Sequence, residues 1–146
     1  MKLRVALAQI NPTVGDLAGN AALISKYAKE AHAASADVVV FPEMVLTGYP
    51  VEDLAMRASF RSASKSALAQ LVSTLEPSIV SVVGYLDESP TGAPQNRVAI
   101  VHGSKVVATY TKRHLPNYGV FDEFRNFVPG DSSLVIRVKG VDIGIA

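Results

Sequence analysis

Asp37-Val38-Val39-Val40-Phe41-Pro42-Glu43 is the stretch that decides the fold. Four apolar residues follow one another, three of them β-branched, and Pro42 ends the run. A half-buried strand alternates polar and apolar positions. An uninterrupted apolar run of this length reads instead as a strand buried on both faces, as in a layered α/β protein. The elements around it agree. Leu3 to Ile10 is a first apolar strand, stopped by Asn11-Pro12. Asn20 is the expected cap of a helix whose inner face carries Leu23, Ile24, Tyr27, Ala28 and Ala31, with Lys26, Lys29 and Glu30 turned away. A second helix is expected over 60–75, with Ala67, Leu68, Leu71, Val72 and Leu75 inward and Pro77 just beyond its end. The order strand, helix, strand, helix then gives way to strands.

Ile79 to Leu86 is the next strand. Val98 to Val101 and Lys105 to Tyr110 form a hairpin about Gly103-Ser104. Residues 112–130 show neither periodicity and contain Pro116, Gly119, Pro129 and Gly130. A loop this long within a compact domain is functional or disordered, and Tyr118, Phe121, Phe124 and Phe127 argue against disorder. Leu134 to Val138 and Val141 to Ala146 are the last two strands. Val141, Ile143 and Ile145 alternate as in a half-buried strand up to the final residue. That pattern leads us to expect that residues 1–146 are a fragment of a domain.

Composition narrows the function classes. The 146 residues hold 14 basic and 13 acidic side chains, for a net charge of +1, and 49% are hydrophobic. Such a balance offers no footprint for nucleic acid or an anionic membrane. No apolar run reaches the roughly 18–20 residues that cross a bilayer. The start of the chain reads as a strand and not a signal peptide, so the cytoplasm is the expected compartment. The sequence contains no cysteine, which excludes disulfides and thiolate metal sites. His32, His102 and His114 lack metal-ligand spacing, and no metal site is expected. No phosphate loop, dinucleotide fingerprint or serine-hydrolase elbow occurs.

Four residues carry candidate chemistry. Glu43 stands at the end of the doubly buried strand, where open α/β sheets place ligands. Partial desolvation there would raise its pKa toward that of a general base; the plainer alternative is a glutamate in a solvated turn. Lys112 follows the strand 105–110 and opens the long loop. Its ammonium could stabilise charge on a carbonyl oxygen, or simply be solvated. Glu123, beside Asp122, would either orient a lysine or belong to a surface acidic pair. Tyr118 is either a pocket aromatic or a loop anchor packed on the core.

Three motifs together resemble those of the nitrilase superfamily of carbon–nitrogen hydrolases. Val5-Ala6-Leu7-Ala8-Gln9-Ile10-Asn11 resembles its opening strand. Val40-Phe41-Pro42-Glu43, followed by Leu46-Thr47-Gly48-Tyr49-Pro50, resembles its glutamate motif. Lys112 with Leu115-Pro116 and Phe121-Asp122-Glu123 resembles its lysine motif. The run from Lys112 to Glu123, with Arg125, Phe127 and Val128-Pro129-Gly130, is similar to the amidotransferase part of the glutamine-dependent NAD+ synthetases.

The resemblance implies a nitrilase-type α-β-β-α sandwich, of which 1–146 would be the N-terminal part of a glutaminase domain, with the synthetase domain absent. It implies that Glu43 is the general base, that Lys112 stabilises the oxyanion, that Glu123 positions Lys112, and that Tyr118 contacts glutamine. The nucleophile in this family is a cysteine thiolate, which this sequence lacks, so the 146 residues alone are expected to be inactive. ATP and magnesium are implied for the synthetase domain and no cofactor for these residues. A synthetase domain in cis is the implied partner, and a homo-oligomer is implied for the full-length enzyme. The alternatives are a piece of a stand-alone amidase of the same superfamily and a non-catalytic binding or oligomerisation module.

Overall fold

The computed structural model describes residues 2–146. The run that decided the sequence reading becomes β2 (Val38–Val40), flanked by β1 (Val5–Leu7) and β3 (Val80–Glu88). Both neighbours pair with it in parallel, with Val5 opposite Val38 and Val38 opposite Val80. β4 (Pro94–His102) and β5 (Lys105–Thr111) extend the sheet antiparallel, giving the order β1-β2-β3-β4-β5. Parallel neighbours need crossovers, and α1 (Leu17–Ala33) and α2 (Ala58–Val72) supply them.

Burial of β2 on both faces follows from its place in a stack of layers. Val39 packs with Ile24, Ala28, Leu68 and Leu71 of the helices. Val38 points the other way and joins Val80, Val82 and Ile100. That second face is covered by a separate two-stranded sheet, β6 (Leu134–Val138) and β7 (Val141–Ile145). Leu134, Ile136, Val138, Ile143 and Ile145 are its inward residues, so the alternation read from the sequence is a true strand period. Lys139 and Gly140 both have positive φ at the hairpin turn, and so do Gly103 and Ser104 between β4 and β5. Two successive left-handed residues match the twist of a tight hairpin. The architecture is therefore helices, five-stranded sheet, two-stranded sheet: three layers of the expected sandwich.

Two expectations are corrected. Asp16, not Asn20, caps α1, accepting a hydrogen bond from the Gly19 N–H at 2.9 Å. Asn20 is buried within the helix. Its carboxamide accepts from the Thr13 N–H and donates to the Thr13 and Leu46 carbonyls, so it ties two loops together. The second helix begins at Ala58 and ends at Val72. A short 3-10 helix, Glu52–Met56, precedes it. The loop 112–130 contains one short helix, α3 (Glu123–Asn126). Leu115 and Phe127 anchor this loop in a third apolar cluster, against Met44, Val51, Ala55 and Leu86.

Candidate active site

Glu43 is presented by a tight turn at the end of β2. Phe41 donates its N–H to Val82 at 3.1 Å, and Leu46 donates to Gly84 at 3.1 Å. Between these anchors Met44 adopts φ 53° while fully buried. A left-handed conformation is strained for such a residue and persists only where the surroundings impose it. Gly84 permits the arrangement: a Cβ there would lie 2.5 Å from the Met44 nitrogen and 2.9 Å from the Pro42 oxygen. The turn that aims Glu43 thus rests directly on the backbone of β3.

Lys112 is placed from the other direction. It follows β5, and its N–H donates to the Asn96 carbonyl at 2.9 Å. Its own carbonyl accepts from the Gly130 N–H at 2.9 Å. At Gly130 the returning loop comes so close that a Cβ would sit 2.5 Å from the Thr111 oxygen. Glu123 opens α3, donating its N–H to Pro116 at 3.1 Å and accepting from Phe127 at 2.8 Å.

These elements bring three of the four candidates together. Lys112 Nζ donates to Glu43 Oε1 at 2.8 Å across a sequence separation of 69 residues. It also lies 3.1 Å from Glu123 Oε1 and 3.0 Å from Glu123 Oε2. Glu123 is only 3% exposed, so it is a buried counter-charge and not a surface acid. Glu43 differs from expectation. Its side chain is 43% exposed, because it stands at the rim of a cavity and not beneath it; the desolvated glutamate anticipated from the strand end is not what the structure shows. Tyr118 is 72% exposed and meets Phe121 edge to face, with ring centres 5.6 Å apart. It is not anchored in the core, and its hydroxyl makes no hydrogen bond to the other three among the described residues.

Two further residues belong to the cluster and were not singled out from the sequence. Asn96, buried on β4, donates from Nδ2 to Glu43 Oε1. The sequence reading began that strand at Val98 and so passed over it. Tyr49, quoted above only within the stretch that resembles the glutamate motif, donates its hydroxyl to Glu123 Oε1 at 3.0 Å. Burial raises the Tyr49 pKa well above its ordinary value of 10.0, and the neighbouring Glu123 and Glu43 carboxylates raise it further. Burial pulls the Lys112 ammonium the other way, toward neutrality. Its bonds to Glu43 and Glu123 outweigh that effect and leave its pKa above the ordinary 10.5.

The cluster rims a cavity of roughly 390 Å³ between the two sheets. Glu43, Asn96 and Lys112 stand at its edge, and Val40, Val82, Val98, Ile136 and Ile143 form much of its apolar wall. A carboxylate able to take a proton therefore lies beside a fixed cation able to stabilise a developing oxyanion. Such a pairing is able to serve amide hydrolysis.

Comparison with known proteins identifies the family and the fold. The family model described as carbon-nitrogen hydrolase matches residues 4–146. The glutamine-dependent NAD(+) synthetase of Thermotoga maritima is 37% identical over 145 residues, covering 99% of this chain and 25% of that protein. The structure of glutamine-dependent NAD+ synthetase from Acinetobacter baumannii, in complex with adenosine diphosphate, superposes with a TM-score of 0.91 at 36% identity; the match covers 97% of this chain and 27% of the other. An amidase from Nesterenkonia sp. superposes with a TM-score of 0.79 at 25% identity, covering 97% of this chain and 54% of the amidase. The chain spans about a quarter of the length of the synthetases it matches.

Proposed function

The chain belongs to the carbon-nitrogen hydrolase family, and on that premise we propose that its residues supply the base and the oxyanion-stabilising cation of a glutamine-hydrolysing site that provides ammonia for NAD+ synthesis. The observation that carries this reading is the convergence of Glu43 and Glu123 on Lys112 Nζ, at 2.8 Å and 3.0 Å. In the proposed reaction Glu43 accepts the proton of an attacking thiol. Lys112 faces the carboxamide oxygen as it gains charge. Glu43 passes that proton to the amide nitrogen, the C–N bond breaks and ammonia leaves; Glu43, again a carboxylate, then takes a proton from the water that cleaves the thioester. Glu123 keeps the ammonium of Lys112 charged and in place. Tyr118 is assigned to contact with glutamine.

The thiol is not among these 146 residues, which include no cysteine, so the chain by itself releases no ammonia from glutamine. The ATP- and magnesium-dependent half of NAD+ synthesis is assigned to a synthetase domain acting in cis, and the whole enzyme to the cytoplasm as a homo-oligomer. No helix among the described residues is long and apolar enough to cross a membrane.

A chimera tests the reading. The segment that follows the matched region in the Thermotoga maritima synthetase is joined after Ala146, and ammonia release from glutamine is assayed. The chimera is expected to hydrolyse glutamine, and its Glu43→Gln and Lys112→Met variants to lose at least about a hundredfold in rate. A folded chimera whose activity survives either substitution refutes the proposal. The likeness to the Nesterenkonia amidase favours a second reading, a site for simple aliphatic amides. Preference for propionamide over glutamine in the same assay would select it. A folded chimera that hydrolyses neither amide would leave a non-catalytic module.

A further inference from the structure

We infer that Asn96 is the positioning residue for Glu43, and that the proton-accepting atom of Glu43 is Oε2; the inference rests on the function proposed above only in calling Glu43 a base. Both donors that hold Glu43 converge on one oxygen. Asn96 Nδ2 and Lys112 Nζ each donate to Oε1. Among the described residues no protein donor engages Oε2. A carboxylate oxygen that accepts two hydrogen bonds has its lone pairs occupied and is the weaker base of the two. The free oxygen therefore receives the proton. The S–H bond of the attacking thiol breaks, its electron pair stays on sulfur, and an O–H bond forms at Oε2.

Asn96 is suited to orient the carboxylate where Lys112 alone is not. An ammonium, even one held in place, is a point charge that imposes no single orientation on a carboxylate. A carboxamide fixed in a strand offers its N–H in one direction. Asn96 is 5% exposed on β4, opposite Leu86 on β3, and its carbonyl accepts from the backbone N–H of Lys112 at 2.9 Å. One residue thus holds the backbone of the cation and the side chain of the base. Burying a carboxamide costs stability unless it is hydrogen-bonded, and the hydrogen bond this one makes from Nδ2 goes to Glu43.

The test uses the intact 146-residue chain, labelled with ¹⁵N and ¹³C. One of the two Asn96 Nδ2 protons should resonate downfield of a free carboxamide and return to the free position in Glu43→Ala. In Asn96→Leu the Glu43 side chain should move from ordered to mobile, its order parameter falling below about 0.6, while the backbone amide of Lys112 stays ordered. At a pH where Glu43 is protonated and the backbone spectrum remains native, the downfield Asn96 signal should persist, because the proton resides on Oε2. Loss of that signal in step with Glu43 protonation would place the proton on Oε1 and overturn the assignment. An Asn96→Leu chain that loses stability but keeps Glu43 ordered would make Asn96 merely structural. If Asn96→Leu does not fold, the Glu43→Ala comparison still decides, since an unmoved Asn96 signal refutes the hydrogen bond. An inactive chimera with these signals present would sink the functional reading and leave the positioning intact; an active chimera without them would do the reverse.

Discussion

Replacing Lys112 by methionine removes the cation from between two carboxylates that differ sharply in environment, and the structure says which loss dominates. Methionine keeps the length and most of the volume of the stem, so packing changes little. Glu123, at 3% exposure, would be left with the Tyr49 hydroxyl as its side-chain partner. Removing one member of a buried ion pair costs about 3–5 kcal/mol, because the other charge stays buried and unpaired. Glu43 is 43% exposed, and a contact that open to solvent is worth at most about 1 kcal/mol. Lys112→Met should therefore cost roughly 3–5 kcal/mol and Glu43→Gln under about 1 kcal/mol. In a chain of this size the first corresponds to a melting shift of about 6–20 °C. The diagnostic is the double variant. Lys112→Met with Glu123→Gln removes the ammonium and the buried carboxylate together, so it should be at least about 2 kcal/mol more stable than Lys112→Met alone, a coupling far above what independent sites show. Urea unfolding followed by far-ultraviolet circular dichroism measures Lys112→Met, Glu43→Gln, Glu123→Gln and the double variant against the wild type, with the slope against denaturant held equal as the check on two-state comparison. Equal costs for Lys112→Met and Glu43→Gln would refute the reasoning. So would a double variant no more stable than Lys112→Met, for either result would mean that Glu123 is not a buried charge that depends on Lys112.

The same pair predicts an alkaline limb of stability. The folded-state pKa of Lys112 lies above its ordinary 10.5 and that of Tyr49 above 10.0; a raised folded pKa gives stability that is complete below the unfolded value and is lost as pH rises through the folded one. Urea midpoints of the wild type should therefore fall more steeply above about pH 10 than those of Lys112→Met or Tyr49→Phe, and parallel curves would contradict the pairing. At Gly84, alanine would press its Cβ to 2.5 Å from the Met44 nitrogen. It should cost about 1–3 kcal/mol by overpacking and move the amide resonances of residues 42–46; an unshifted spectrum at wild-type stability would show that the Glu43 turn does not rest on β3.

What the sequence disclosed, and what it hid, follows from the range of each interaction. β2 was legible because three successive valines admit few other settings. The hairpin of β4 and β5 was legible because Gly103-Ser104 sits between patterned runs, and β6 and β7 were legible as strands from their alternation. The start of α1 was not. Asp16 and Asn20 are both capping residues by type, and only tertiary bonds from Asn20 to Thr13 and Leu46 take it out of contention. β4 was read to begin four residues late because Gln95, Asn96 and Arg97 look like turn or surface residues. Two of them are paid for by distant partners, Glu43 for Asn96 and Asp87 for Arg97. Glu43 and Lys112 could be suspected from strand ends and motif resemblance. Their contact could not, since it depends on β2 through β5 lying in sequential order across one sheet.

The two carboxylates around Lys112 divide the work by burial. Glu123 is enclosed by the loop that returns past Gly130, and it holds both its oxygens near the ammonium. Such a pair does not reorganise readily, because separating it would strand a charge in the interior. Lys112 is thereby a fixed positive site, as electrostatic stabilisation of an oxyanion demands. Glu43 sits on the open side of the same ammonium, at the cavity rim. Its contact with Lys112 is weak enough to change as its proton comes and goes, and it has access to whatever enters. The arrangement suits the proposed roles: Glu43 at the rim is open to a proton donor entering the cavity, and Glu123 inside holds the cation still. The placement of one carboxylate inside and one at the rim is therefore an argument for Glu43 as the base that does not depend on family resemblance.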